Sequence, residues 1–245
     1  MFKAVVSDLD GTLLNAEHKV SEFTRETVEL LLKKGIKFYI ATGRNYLGAK
    51  EAMDELGVKV PLITSHGSVA FDENGNEIFS NNLKREYLDK VLDIDYKSFG
   101  KDIIITGYSG PNWFVTEDLR EYFYNKKPDR TRYPKQITPE EFKKNDFTKI
   151  FFLGEDHDEL LELENEIRKA VGDGNISLLF ANEGSLEVFS ANCNKAKAAE
   201  VLLERDGLTL KDAVSFGDGL NDYELITETG LGFAMGNSIY LLLEK

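Results

Sequence analysis

The chain has 245 residues and a net charge of −13, and its proportions of apolar and charged residues are those of an ordinary soluble protein. The negative charge argues against nucleic acid as a partner, because phosphate backbones require a basic surface. We expect a cytoplasmic protein, a monomer or weak dimer without a membrane span or secretory leader, and the single Cys193 excludes an internal disulfide.

The first third of the chain alternates strand and helix patterns. Short apolar runs predict buried strands at "FKAVVS", "IKFYIA" and "VPLITS". Between them, residues 21–34 have helical spacing with Ser21 as a possible N-cap and Gly35 as a stop, and "NYLGAKEAMDEL" predicts a second helix that ends at Gly57. Strands joined by helices in this order indicate right-handed crossovers and a parallel sheet.

The middle of the chain has a different pattern. Two β-rich runs flank Asn74-Gly75, which is a strong hairpin signal, and residues 80–185 mix strand and helix patterns. The last section returns to alternating helices and strands. The predicted fold class is therefore α/β: a Rossmann-like parallel-sheet core from residues 1–80 and 186–245, with an inserted α+β cap domain at 81–185.

Two aspartates follow the first predicted strand, in "KAVVSDLDGTLLN". In open parallel sheets, ligands bind beyond the carboxyl ends of the strands, so Asp8 is expected in that crevice, with Asp10 on the same side of an extended chain. Neighbouring carboxylates repel each other and need a stabilising cation. Mg²⁺ is a natural candidate, because it favours one or two carboxylates together with phosphate oxygens.

Other polar residues also lie at the ends of predicted strands or at the start of a predicted helix. Asp218 follows a later strand in "VSFGDGLNDYE", with Asn221 and Asp222 in the next turn. Thr42 and Gly43 end the strand "FYIATGR" and are suited to a phosphate oxygen. Lys195 begins a helix and can balance the phosphate charge.

These motifs, in this order, resemble the haloacid dehalogenase superfamily, and the layout is similar to its Cof-like sugar-phosphatase branch. The motifs are D-x-D-G-T-L-L from Asp8, T-G-R from Thr42, the lysine at 195 and G-D-G-x-N-D around Asp218. The similarity spans nearly the whole chain. A calcium loop is excluded, because the residue that would be its glutamate is Lys19.

The resemblance implies a role for each residue. Asp8 is expected to be the nucleophile that forms an aspartyl-phosphate, and Asp10 the general acid and base. The expected phosphate-binding residues are Leu9, Thr42, Gly43, Lys195 and Asn221. The expected Mg²⁺ ligands are Asp8, the backbone carbonyl of Asp10, and Asp218, with Asp222 as a ligand or directly behind the ligands.

The function implied is a Mg²⁺-dependent phosphatase of small phosphorylated metabolites, with sugar phosphates as the expected substrates. A phosphomutase and a non-catalytic phosphometabolite-binding protein remain alternatives. His66, in "TSHGSVAF", either contacts substrate or caps the hairpin. Arg44 pairs either with a phosphate or with a core carboxylate, and the structural role is favoured.

Overall fold

The computed structural model describes residues 2–110, 112–119 and 133–243. The chain divides into two compact units. The first runs up to Ser80 and resumes at Cys193, and the second is Asn81–Asn192. Among the described residues, no helix is both long enough and apolar enough to span a membrane.

The first unit is built on one seven-stranded sheet. Its strands lie in the order β13-β12-β1-β2-β3-β4-β5, and the first five of these are parallel. The last two strands, β4 and β5, form the antiparallel hairpin that Asn74-Gly75 predicts. The strands are β1 Ala4–Ser7, β2 Lys37–Ala41, β3 Leu62–Thr64, β4 Val69–Phe71, β5 Glu77–Ser80, β12 Ala213–Gly217 and β13 Leu231–Ala234.

Helices cover both faces of this sheet, which confirms the α/β fold class. The helices are α1 Glu22–Lys33, α2 Tyr46–Leu56, α6 Lys195–Arg205, α7 Tyr223–Glu228 and a last short helix, α8 Tyr240–Leu243. Side chains of α1 and α2 pack with Phe38, Ile40 and Leu62 on one face. Side chains of α6 and α7 pack with the other face, around Val6 and Tyr39.

The predicted helix boundaries of the first third have identifiable chemical causes. Ser21 accepts a hydrogen bond from the Thr24 amide at the start of α1, and Asn45 accepts one from the Gly48 amide at the start of α2. Gly57 ends α2 in the left-handed conformation, with φ of 79°. These caps satisfy backbone groups that the helix itself leaves unpaired.

A cavity of about 460 Å³ lies between α1 and one face of the sheet. Its walls are chiefly apolar and include Phe2, Phe23, Phe216 and Met235. An apolar wall offers little to a phosphorylated ligand, because transferring a charged group into such surroundings is costly. The candidate site is therefore the polar cluster at the carboxyl ends of the strands.

The second unit contains a six-stranded sheet with the order β10-β11-β9-β6-β7-β8. Its strands are β6 Ile104–Ser109, β7 Asn112–Val115, β8 Lys135–Gln136, β9 Lys149–Leu153, β10 Ile176–Asn182 and β11 Ser185–Ser190, and its described helices are α3 Arg85–Leu92, α4 Pro139–Lys144 and α5 His157–Val171. Leu88, Phe142 and Leu160 of these helices belong to the main apolar core of this unit.

One predicted boundary needs correction. The core was expected to resume at residue 186, but β11 pairs with β9 and β10 and so belongs to the second sheet. The first unit resumes at Cys193, just before α6. The strand patterns of "NISLLFA" and "SLEVFS" predict a strand pair, which the structure confirms, but they do not show at which later residue the chain returns to the first unit.

Candidate functional site

Parallel pairing brings three strand ends of the first unit to one edge. β12, β1 and β2 are neighbours in the sheet, and Asp218, Asp8 and Thr42 each follow the last residue of one of them. The Asp8 amide donates to the Phe216 carbonyl over 3.0 Å, and the Thr42 amide donates to Ile63 over 2.8 Å. The backbone of Asp8 and Thr42 is thus held by continuations of the strand ladders.

Lys195 lies at the centre of a buried cluster of charged side chains. It is the first residue of α6, and its side chain is fully buried. Its Nζ lies 2.5 Å from Asp8 Oδ1 and 2.5 Å from Asp222 Oδ1. One cation therefore bridges carboxylates from opposite ends of the chain.

Three carboxylates converge beside this lysine. Asp8, Asp218 and Asp222 each present an oxygen, and these atoms lie within 4.8 Å of one another. Asp222 is held because its Oδ2 accepts from the backbone amides of Asp218 and Gly219 at 3.1 and 3.0 Å. All three side chains come from loops at the same sheet edge.

Asp218 is oriented by side chains of two distant loops. Thr12 donates its hydroxyl to Asp218 Oδ1 over 3.2 Å. Asn237 Nδ2 donates to Asp218 Oδ2 over 3.2 Å and to the Gly11 carbonyl over 2.9 Å. Sequence reasoning does not single out Asn237, because its partner Gly11 lies 226 positions earlier in the chain.

The charges of the cluster indicate what it can bind. Three carboxylates face one lysine, which leaves two formal negative charges uncompensated. Burial raises the pKa of Asp8 to about 7, with Lys195 opposing the shift and Asp222 adding to it. Burial also raises the pKa of Asp218 above its usual value. The cluster offers only oxygen ligands and carries two negative charges in excess. Both properties suit a divalent cation.

Lys195 itself stays charged in this environment. Burial acts to lower its pKa, but the negative charges of Asp8 and Asp222 outweigh that effect and raise the pKa above its ordinary value. A fully buried ammonium group held between two carboxylates is a fixed positive charge. Such a charge at a strand end can neutralise a bound phosphate.

Asp10 has a different partner from the other aspartates. Arg44 Nε donates to Asp10 Oδ2 over 2.8 Å and Arg44 Nη2 donates to Oδ1 over 2.5 Å, a bidentate pair. Burial acts to raise the pKa of Asp10, but the hydrogen bonds and charge of Arg44 outweigh it and lower the pKa. Arg44 pairs with a carboxylate, as favoured from the sequence. Because both carboxylate oxygens of Asp10 accept from Arg44, we expect Asp10 to bind a metal through its backbone carbonyl.

The remaining predicted residues lie in the same unit, in different environments. Thr42 is buried, and its hydroxyl accepts from the Arg44 amide over 3.1 Å. The side chain of Leu9 packs in the apolar core, so only its backbone can contact phosphate. Asn221 Nδ2 lies 3.2 Å from His66 Nδ1, and the His66 ring packs against Gly43.

Comparisons with known proteins identify the family. Residues 5–245 match the family model for haloacid dehalogenase-like hydrolases. The HMP-PP phosphatase of Enterobacter sp. (strain 638) is 30% identical over 246 residues, covering 100% of this chain and 88% of its own length.

Solved structures show the same fold. A haloacid dehalogenase-like hydrolase from Bacteroides thetaiotaomicron superposes with a TM-score of 0.83 at 24% identity, covering 100% of this chain and 92% of that one. A sugar phosphatase of HAD subclass IIB gives a TM-score of 0.78 at 22% identity, covering 99% and 90%. From the family match over nearly its whole length and the phosphatase relative, the chain belongs to the haloacid dehalogenase-like hydrolases and is a phosphatase.

Proposed function

We propose that the chain is a Mg²⁺-dependent phosphatase that hydrolyses small phosphorylated metabolites, sugar phosphates among them, through a phosphoryl group carried on Asp8. The observation that carries the proposal is the buried Asp8 carboxylate beside Lys195, Asp218 and Asp222. The net charge of −13 suits a small substrate and not a nucleic acid. The named activity of the Enterobacter relative, an HMP-PP phosphatase, supports the same substrate size.

The proposed reaction has two steps that use this chain's own residues. Lys195 Nζ donates a hydrogen bond to Asp8 Oδ1. We therefore assign the other oxygen of Asp8, Oδ2, as the atom that attacks phosphorus. The bond to the leaving oxygen breaks, and Asp10 donates a proton to that oxygen. Asp10 then removes a proton from water, which attacks the phosphoryl group and frees the Asp8 carboxylate. Dividing the reaction in this way replaces one difficult step with two easier ones.

The residues around Asp8 bind the phosphoryl group while it is transferred. Lys195 neutralises negative charge on its oxygens, and Thr42, Asn221 and the backbone amides of Leu9 and Gly43 donate to them. Mg²⁺, held by Asp8, Asp218, the Asp10 carbonyl and Asp222, would neutralise further charge on the phosphoryl oxygens. We place the enzyme in the cytoplasm as a monomer or weak dimer.

The test is phosphate release from a panel of sugar phosphates and HMP-PP, with chelator and after Mg²⁺ is added back. We expect release that depends on Mg²⁺. Asp218→Asn should raise the half-saturating Mg²⁺ concentration by at least about 10-fold, because the loss of even an outer partner of a metal ligand costs that much. The proposal is wrong if release continues in excess chelator, or if every panel member is left intact.

The pairing of Asp10 with Arg44 gives a pH prediction. Asp10 must carry a proton to protonate the leaving oxygen, so the rate falls as pH rises above its pKa. Arg44 lowers that pKa. Arg44→Gln should therefore raise it and move the alkaline limb of the rate profile to higher pH.

The measurement is the pH profile of phosphate release at saturating substrate. The matched control is Lys50→Gln, which removes a cation paired with Asp54 in the same unit and should leave the profile in place. An alkaline limb that stays fixed, or moves to lower pH, in Arg44→Gln would contradict the role of Asp10 as the acid.

A further inference from the structure

The loop after β3 has an unusual backbone. Ser65 and His66 are consecutive non-glycine residues with positive φ, 49° and 59°. The left-handed region is sparsely populated by residues with side chains, and histidine tolerates it better than bulky or β-branched residues do. Strained backbone persists where surrounding contacts hold it, and such positions concentrate at functional sites.

This loop contacts the phosphate-binding segment after β2. The Ser65 amide donates to the Arg44 carbonyl over 2.8 Å, and the His66 amide donates to the Thr42 carbonyl over 3.2 Å. The imidazole lies so close to Gly43 that a Cβ there would be 2.4 Å from His66 Cε1. The His66 ring thus packs directly against Gly43, and a side chain at residue 43 would displace the ring from this position.

The same loop also touches the start of α6. A Cβ at Gly67 would lie 2.2 Å from the Asn194 carbonyl oxygen and 2.9 Å from the Lys195 amide nitrogen. The three-residue turn Ser65–Gly67 therefore lies between the segment after β2 and the first residue of α6. Its position is fixed by backbone contacts on both sides.

The imidazole reaches one more residue of the proposed phosphate pocket. His66 Nδ1 lies 3.2 Å from Asn221 Nδ2. An amide nitrogen only donates, so Nδ1 is the acceptor and the ring proton resides on Nε2. The amide nitrogen of Asn221 carries a second hydrogen, which is available to an acceptor such as a phosphoryl oxygen.

We propose that His66 is a positioning residue that fixes the side-chain amide of Asn221, so that Asn221 presents N–H groups and not its carbonyl oxygen to the phosphoryl group. This inference rests on the proposed function. Without an acceptor at the Nδ1 position, the amide can rotate by 180° about its terminal bond. The carbonyl oxygen would then face the anion and repel it.

The test is a double-mutant cycle of His66→Ala and Asn221→Ala, read out as kcat/KM for the best panel substrate and as affinity for inorganic phosphate. Each single variant should lose about 10-fold, the size expected for a hydrogen bond to a charged group. His66→Ala should cost nothing further in the Asn221→Ala background, because it acts through that amide. A general structural role would give additive losses.

Two conservative variants sharpen the test. In asparagine, Oδ1 is as many bonds from Cα as Nδ1 is in histidine, and asparagine also tolerates left-handed backbone. His66→Asn should therefore retain activity and phosphate affinity. His66→Gln, which offers its polar atoms one bond further out, should behave like His66→Ala.

Each outcome is decisive. Additive losses, an Asn variant as impaired as the Ala variant, or wild-type phosphate affinity in Asn221→Ala would overturn the inference. If the wild type releases no phosphate from any substrate, the proposed function fails. The affinity cycle with inorganic phosphate still tests the inference, because it needs no turnover.

Discussion

Asp8→Asn is expected to abolish phosphate release and at the same time to stabilise the metal-free protein. The rate should fall by roughly 10⁴- to 10⁶-fold, as when an enzyme loses its nucleophile. An asparagine amide has no negative charge and does not attack phosphorus. The substitution is nearly isosteric, so the loss reports chemistry and not packing.

The stability gain follows from the burial of Asp8. Its pKa is raised to about 7 mainly by burial, so ionisation is unfavourable in the folded state. Asparagine removes that charge and can still accept from Lys195, which keeps its second partner, Asp222. We expect the metal-free variant to be more stable than the wild type by about 1–3 kcal/mol at neutral pH.

The change of the free energy of unfolding with pH provides a second test. Between about pH 4 and pH 7, the folded state binds more protons at Asp8 than the unfolded state does, because its folded pKa is the higher one. The contribution of Asp8 to stability is therefore lost as pH rises through this window. Metal-free wild type should show that decline, and Asp8→Asn should lack it.

Denaturant unfolding in chelator, across this pH range, makes the comparison. Asp54→Asn is the matched control, because this exposed aspartate lies on a helix of the same unit and its side chain pairs with Lys50, away from the carboxylate cluster. It should change neither rate nor pH dependence. A rate in Asp8→Asn that falls by much less than about 10⁴-fold would contradict the role of Asp8 as the nucleophile. Stability below the wild type at pH 7 would contradict the raised pKa of Asp8.

Much of the first unit could be predicted because its signals are local. The caps Ser21 and Asn45 and the left-handed Gly57 each act within one turn of helix. The placement of Asp8 and Asp218 at one edge also follows, since parallel strands end on the same side. Local sequence patterns thus predict the helices and strands, and the topology rules for parallel sheets predict that the strand ends meet at one edge.

Pairings between distant segments could not be predicted in the same way. His66 contacts Asn221, which lies 155 positions away in the sequence, and Asn237 contacts Gly11, which lies 226 positions away. Neither contact has a sequence pattern of its own, because each depends on how loops pack after the sheet forms. The boundary between the units also lies later than predicted, at Cys193 and not at residue 186, because no local pattern marks the residue at which the chain returns to the first unit.

Lys195→Met is expected to impair both folding and catalysis. Without the lysine, Asp8 and Asp222 remain buried and adjacent with no cation between them. Leaving a buried charge without its partner costs about 3–5 kcal/mol. Where the protein is folded, the rate should fall by roughly 10²–10³-fold, since a charge about 4 Å from phosphate is worth some 4 kcal/mol.

Lys197→Met is the matched control, because Lys197 is exposed on the same helix two residues further on. It also tests which of these two neighbouring lysines, Lys195 or Lys197, acts on the phosphoryl group. We expect wild-type stability and rate for this variant. Loss of activity in Lys197→Met with retention in Lys195→Met would reverse the assignment.

A double variant separates the two effects of Lys195. In Lys195→Met/Asp222→Asn, the asparagine carbonyl can accept from the Asp218 and Gly219 amides as Oδ2 does, and its NH₂ can donate towards Asp8. One buried charge is removed, so part of the lost stability should return. Activity should stay low, because the cation that neutralises the phosphoryl group is still missing and one of the proposed Mg²⁺ ligands is lost as well. Recovery of both together would mean that Lys195 serves the fold alone.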